Sequence, residues 1–300
     1  MAAARPNAMR PNAGWRRVKS RVYYGVLVAA TLIGIVVLVT LLARVLAEGL
    51  GGLSWDFIVS YPSRFASQAG ILSPLMGSLW VMAFTALFSF PLGVGTALWL
   101  EFYAPKNRLT DLVQTNISNL AGVPSIVYGI LGLTVFVRWM ALDRSVLAGA
   151  LTMTLLILPI GIIAAREALR SVPSSLGPAS YALGATKWQT IWRVMLPYAF
   201  PGILTGAILS MSRAIGETAP LIILGALTYV AFVPGSAGLA RAPLDPFTVL
   251  PIQIFNWSSR PQKEFLDIAA TGIIVLLILL LTMNAFAIYL RNKFQRKAQD

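Results

Sequence analysis

Residues 213–220 read RAIGETAP, with FPGILTGAILSMS before them and LIILGALTYV behind. An arginine and a glutamate thus stand together in one of the most apolar parts of the chain. On insertion scales a lone charge at a membrane helix centre costs about 2.5–3.5 kcal/mol, so such residues face a cavity and pair. Their spacing puts Arg213 and Glu217 on one helix face, within reach of each other. Two roles fit: an intrahelical ion pair that serves packing, or a planar fork of donors held by its carboxylate and presented to an oxyanion. Gly216 lets another backbone come close, Thr218 adds a hydroxyl, and Pro220 frees a carbonyl in the preceding turn.

Two further groups carry polar chemistry. GVPS (122–125) interrupts an apolar run with Gly and Pro, and Ser125 and Tyr128 then either line a pathway or mark a packing kink. Arg166 and Arg170 flank Glu167 at the end of another apolar run, as attractors for an anion or as snorkelling interface anchors. Gly93 and Gly95, near Pro91, are read as close-packing positions. The chain has no histidine and no cysteine. That removes the commonest general base and the thiolate nucleophiles and metal ligands, and Glu217, the single intramembrane acid in this reading, is too little for a carboxylate pair. No G-x-x-x-x-G-K-[ST] loop occurs, so the usual cradle for ATP is missing.

The elements that must position these residues are membrane helices. Of 300 residues, 57% are hydrophobic and 12% charged, about half the charged share of a soluble domain. The net charge of +13 could suggest nucleic acid, but in so apolar a chain it marks the cytoplasmic side of a membrane protein. Six spans are expected, at about 23–46, 73–100, 115–140, 145–165, 197–232 and 268–290. The third and fourth form a hairpin around Asp143 and Arg144. The fifth is too long for one straight crossing, and Pro201 and Pro220 are placed to bend it. Sixteen Lys and Arg residues fall before span one, after span six and in the two loops on that side. Seven fall on the other side, and the remaining one is Arg213. Both termini are therefore expected in the cytoplasm.

The first apolar run, of about 24 residues, exceeds a signal-peptide core and is read as a retained span rather than a cleaved leader. Arg16-Arg17 is read as part of the charge bias, not as an export signal. The expected organisation is a disordered basic tail over 1–20, a first helix and outer loop over 21–70, a transmembrane core over 71–291 and a second tail over 292–300.

The stretch ALRSVPSSLGPASYALGATKWQTIWRVMLP (168–197) reads as two short amphipathic helices broken at Gly184. The first follows Ser174 or Ser175 and ends at Leu183, with Gly184 left-handed beyond it. The second starts near Thr186 and sets Trp188, Ile191, Trp192 and Met195 on one face, and Pro197 opens the next span. By composition alone this is an interfacial element lying among lipid headgroups.

The spacing of this stretch resembles the cytoplasmic motif of ABC-importer membrane subunits: EAA, three residues, Gly, nine residues, then I-x-L-P. Ala179, Ser180, Gly184, Val194, Leu196 and Pro197 fall at its positions, with Ala185 beside the glycine, while Pro178 replaces the glutamate. AGVPSIVYGILGL (121–133), REALRSVPSSL (166–176), RAIGETAPLI (213–222) and LPIQIFNWSSRPQKEF (250–265) make the chain similar to PstA-type permease subunits of phosphate ABC importers, from about residue 70 onward. The resemblance implies an all-α integral membrane fold of the type I importer class, with a cytoplasmic coupling element over 171–197. It implies a non-catalytic subunit of the bacterial cytoplasmic membrane. Its partners would be a PstC-like permease, an ATPase dimer that uses ATP and Mg, and a phosphate-binding protein. The chain itself would bind no cofactor and no nucleic acid. Arg213, Glu217, Thr218, Ser125, Tyr128 and Arg170 would then line a path for inorganic phosphate. A permease for another oxyanion, molybdate or sulfate, is the rival within transport, and a membrane-embedded enzyme is the remote one.

Overall fold

The computed structural model describes residues 13–226, 229–236 and 238–297; the basic residues expected near the N-terminus at positions 5 and 10 lie outside them. Among the described residues twelve α-helices follow in order. They are α1 (Ala13–Gly49), α2 (Trp55–Val59), α3 (Leu72–Leu98), α4 (Arg108–Leu120), α5 (Ser125–Gly132), α6 (Val146–Arg170), α7 (Leu176–Ala182), α8 (Lys187–Thr190), α9 (Leu196–Gly216), α10 (Ala219–Leu224), α11 (Leu250–Ser258) and α12 (Lys263–Lys297). Five helical segments are long and apolar enough to cross a bilayer, and a sixth crossing results if α4 and α5 are one broken span.

Local sequence sets the helix starts. Ser54, Asn107 and Ser145 each stand in extended backbone and accept from the N–H three residues on, capping α2, α4 and α6. Residues 13–20, expected in a disordered tail, are the first turns of α1, because nothing between Ala13 and Gly49 breaks a helix once it is nucleated. Residues 292–297 likewise continue α12.

The most enclosed span is α6, whose Val146, Ala148, Ala150, Met153, Leu156 and Ile157 are buried, whereas the apolar surface of α1 is exposed along its length. α9 packs antiparallel on α6 through small residues: a Cβ on Gly202 would stand 2.8 Å from Cβ of Ala168, and one on Gly206 would stand 2.4 Å from Cβ of Ala164. Between apolar helices in lipid, close backbone approach of this kind supplies the attraction. Of the two glycines expected to serve packing, Gly93 meets Gly161 and Ile162 of α6, while Gly95 faces open space.

Two spans differ from expectation. The third, expected as 115–140, is broken: α4 and the helix that starts at Ser125 are bent by 103°. Pro124 lacks an N–H and forces Val123 out of helical geometry, and Gly122 gives no support, so the helix stops at Leu120. The fifth, expected as 197–232, ends at Gly216; Glu217 is extended (φ −80°, ψ 118°), and α10 follows as a separate short helix. Pro201 lies inside α9 without interrupting it. The hairpin between spans three and four is as expected, with Ala141 and Asp143 both left-handed at its turn.

Candidate functional site

The pairing of α9 with α6 fixes the depth of the charge pair. With Gly202 beside Ala168 and Gly206 beside Ala164, Arg213 stands level with Ile157, near the middle of α6. α9 therefore ends at mid-span, and its terminal turn carries the arginine. Discontinuous helices whose ends meet near the membrane midplane are a common way to expose polar backbone and charge to a transported solute.

The second break faces the first. Gly129 of α5 lies so close to α10 that a Cβ there would stand 2.7 Å from the Pro220 carbonyl oxygen and 2.8 Å from its Cα. Tyr128 is buried, and its hydroxyl donates to the Leu120 carbonyl at 2.8 Å, across the break between α4 and α5. Ser125 and Tyr128 thus border one interruption and Arg213, Glu217 and Thr218 the other, and the two touch where Gly129 meets Pro220. Arg213 Nε lies 3.3 Å from Glu217 Oε1, with the arginine side chain 44% exposed and the glutamate 23%. Glu217 also borders a small, partly open crevice with Ser78, Met153 and Leu221. The carboxylate is behind and the guanidinium in front, so the pair presents a donor fork and not a closed neutral bridge.

Arg170 does not join this group. By helix rise it lies about 20 Å further along α6 than the level of Arg213. Arg166 and Arg170 each donate through Nε to Glu101 Oε2 at 3.0 Å. Glu101 was passed over by sequence reasoning, which counted Glu217 as the single intramembrane acid; its signal was a lone carboxylate closing the apolar run 72–100. It sits in a π-helical turn, Trp99–Tyr103, that extends α3.

The segment between spans four and five is a helix–turn–helix. α7 ends at Ala182, Leu183 caps it, and Gly184 is left-handed at φ +81°. Ser175 precedes α7 without a side-chain capping bond, and Pro178 occupies its first turn, where no intrahelical N–H bond is lost. Thr186 and Gln189 form a reciprocal capping box that starts α8. The second helix is not separate from span five as expected: α8 passes through a π-helical turn, Ile191–Met195, directly into α9, so Pro197 lies in a continuing helix. The wider turn also splits the expected apolar face. Trp188 and Trp192 pair outside, with ring centroids 5.2 Å apart, while Ile191 is buried. Ser180 Oγ and Thr190 Oγ1 hydrogen-bond at 2.9 Å in the buried seam between the two helices. Ser180 therefore closes the hairpin, and Ala179, Gly184, Tyr181 and Leu183 remain on its surface, Leu183 at 90% exposure.

Such a fold, apolar spans with a protruding hairpin before the fifth, defines a membrane subunit of a solute transporter. The chain belongs to the family of binding-protein-dependent transport system inner membrane components, which it matches over residues 89–299. It is a multi-pass membrane protein of that family. Among its relatives, a probable ABC transporter permease, YqgI of Bacillus subtilis, is 34% identical over 94% of this chain and 98% of its own length. The phosphate transport system permease protein PstA 1 of Mycobacterium tuberculosis is 32% identical over 96% of this chain and 92% of its own. In structure the chain is similar to a subunit of a bacterial ABC transporter that imports alginate, with TM-score 0.63 and 17% identity over 94% of this chain and 99% of that one. That last likeness concerns the fold alone.

Proposed function

We propose that this chain is a permease subunit of an ATP-driven importer and that it conducts inorganic phosphate across the cytoplasmic membrane, with both termini in the cytoplasm. One observation carries the reading: an exposed guanidinium, backed by a carboxylate, at a helix break level with the middle of the span. A doubly charged oxyanion needs a compensating cation in low dielectric, and the guanidinium fork matches its oxygens. Glu217 orients Arg213 and moderates its field so that the anion leaves again. Thr218, Ser125 and Tyr128 border the same breaks, and Arg170 stands at the far end of the path. The relatives named as phosphate transport permeases support this substrate over another oxyanion.

The helix–turn–helix is the docking element for an ATPase dimer, with Ala179, Gly184, Ala185, Val194, Leu196 and Pro197 at its family positions and Ser180 holding its legs together. ATP and Mg are handled by that ATPase, and this chain catalyses no reaction of its own. A second, PstC-like permease completes the path, and a phosphate-binding protein delivers the anion. Competition decides the substrate. In liposomes holding the complex, excess unlabelled phosphate should suppress ATP-driven uptake of labelled phosphate, and equal sulfate or molybdate should not. Suppression by molybdate or sulfate to the same degree would move the reading to a different oxyanion.

A further inference from the structure

Two arginines of α6 share one carboxylate oxygen. Glu101 Oε2 accepts from Arg166 and Arg170, and Arg170 Nη1 also lies 3.7 Å from Glu167 Oε1. An arginine pair is an efficient receiver of phosphate, yet this one already gives both of its Nε–H groups to a carboxylate. Beside it opens a cleft of about 400 Å³, whose far wall is the polar face of α4: Asp111, Gln114, Thr115 and Ser118. α4 turns its exposed Leu109 and Leu112 elsewhere, so polar residues face the cleft and apolar ones do not.

The hydroxyls of the far wall are already spent as donors. Thr115 Oγ1 donates to the Asp111 carbonyl at 2.8 Å, and Ser118 Oγ donates to the Gln114 carbonyl at 3.1 Å. Both hydroxyls therefore offer lone pairs to the cleft. Arg166 and Arg170 share the cleft with Glu167 and Asp111, two positive groups with two negative ones, and Glu101 bridges both arginines from behind. A pocket built to retain a dianion would leave its arginines without a carboxylate partner.

We propose that this cleft is the release vestibule of the pathway, and that Glu101 is its built-in competitor, occupying Arg166 and Arg170 so that the departing anion passes them without being retained. The proposal rests on the phosphate reading above. An anion leaving Arg213 reaches two arginines about 20 Å further on. There it meets a carboxylate already paired with both and the Asp111 carboxylate opposite. Return from the cytoplasm is disfavoured by the same charges, so the vestibule favours exit.

The test uses the complete complex in liposomes, with binding protein outside and ATP plus graded inorganic phosphate in the lumen. Initial uptake of labelled phosphate is measured, each variant relative to its own rate without lumenal phosphate. Removing the competing charge in Glu101→Gln should lower the half-inhibiting lumenal phosphate concentration by about tenfold, a change that the loss of one nearby charge readily supplies. Asp111→Asn leaves the arginine pair untouched and should shift inhibition in the same direction by less. Should Glu101→Gln fail to assemble, the Asp111→Asn result decides alone. Glu101→Asp, which keeps the charge, should hold the wild-type sensitivity. Unchanged sensitivity in both neutral variants, with wild-type uptake present, would overturn the vestibule proposal and leave the phosphate reading standing. Absence of phosphate uptake by the wild-type complex would overturn the phosphate reading and this proposal with it.

Discussion

Arg213 and Glu217 stay paired across the end of α9. The arginine is on the last turn of α9 and the glutamate just beyond it in extended backbone, yet Nε and Oε1 are 3.3 Å apart. Had the pair served packing alone, both charges would be expected inside, where each offsets the burial cost of the other. Instead both keep some exposure, the base at 44% and the acid at 23%.

A double-mutant cycle separates the two roles. Glu217→Gln and Arg213→Gln should each lower the thermal stability of the purified complex, and the double change to Gln should recover most of that loss. Uptake should not recover in the double variant, because the cation for the anion is still missing. Restored transport in the double variant would show that the pair only neutralises itself.

The contact between the two breaks is a second test. A side chain at Gly129 meets the Pro220 backbone at 2.7 Å, and backbone cannot move aside as a side-chain tip can. Gly129→Ala should therefore cost about 1–3 kcal/mol by overpacking and impair uptake. Gly161→Ala, where nothing lies within 4 Å of an added Cβ, is the control and should be near neutral. Thermal melts of the assembled complex compare them.

At the hairpin, Gly184 is left-handed but open to solvent, so a side chain there is strained without being crowded. Aspartate tolerates this backbone better than most residues, so Gly184→Asp should fold and insert. It should release the ATPase or uncouple hydrolysis from uptake, because its charge sits on the docking surface. Pro178→Glu should be tolerated. ATPase co-purified per permease is the readout, and normal recovery with Gly184→Asp would reduce the hairpin to an interfacial helix.

The seam of the hairpin gives a prediction about stability. Ser180→Ala leaves the buried Thr190 hydroxyl without its partner and should cost about 1–3 kcal/mol, whereas adding Thr190→Val should return most of it. Limited proteolysis at the hairpin orders the three proteins. Equal resistance in all of them would mean the bond contributes nothing.

What was legible in the sequence follows physical lines. Hydropathy marked the spans, because a bilayer demands length and apolarity and little else. RAIGETAP stood out because charge in such a setting is costly, and the Gly184 turn because only certain residues adopt its φ. The breaks were harder to read: Gly122 and Pro124 signalled a kink, but a 103° bend depends on how α4 and α5 pack on α6. Continuity of α8 into α9 was hidden because Pro197 looks like a helix start, although a proline in an early turn is equally at home in a helix that began before it. Glu101 was missed for a different reason. Its partners lie 65 and 69 positions away, and no local pattern announces a bond that only the packing of α3 on α6 creates.

Whether the Arg213 guanidinium meets the transported anion is read from initial rates of ATP-driven phosphate uptake in liposomes. Wild type, Arg213→Lys and Arg213→Gln are compared at matched amounts of assembled complex. Uptake should be abolished in Arg213→Gln and partly kept in Arg213→Lys, where the charge remains but the fork is lost. Wild-type uptake by Arg213→Gln would contradict that contact.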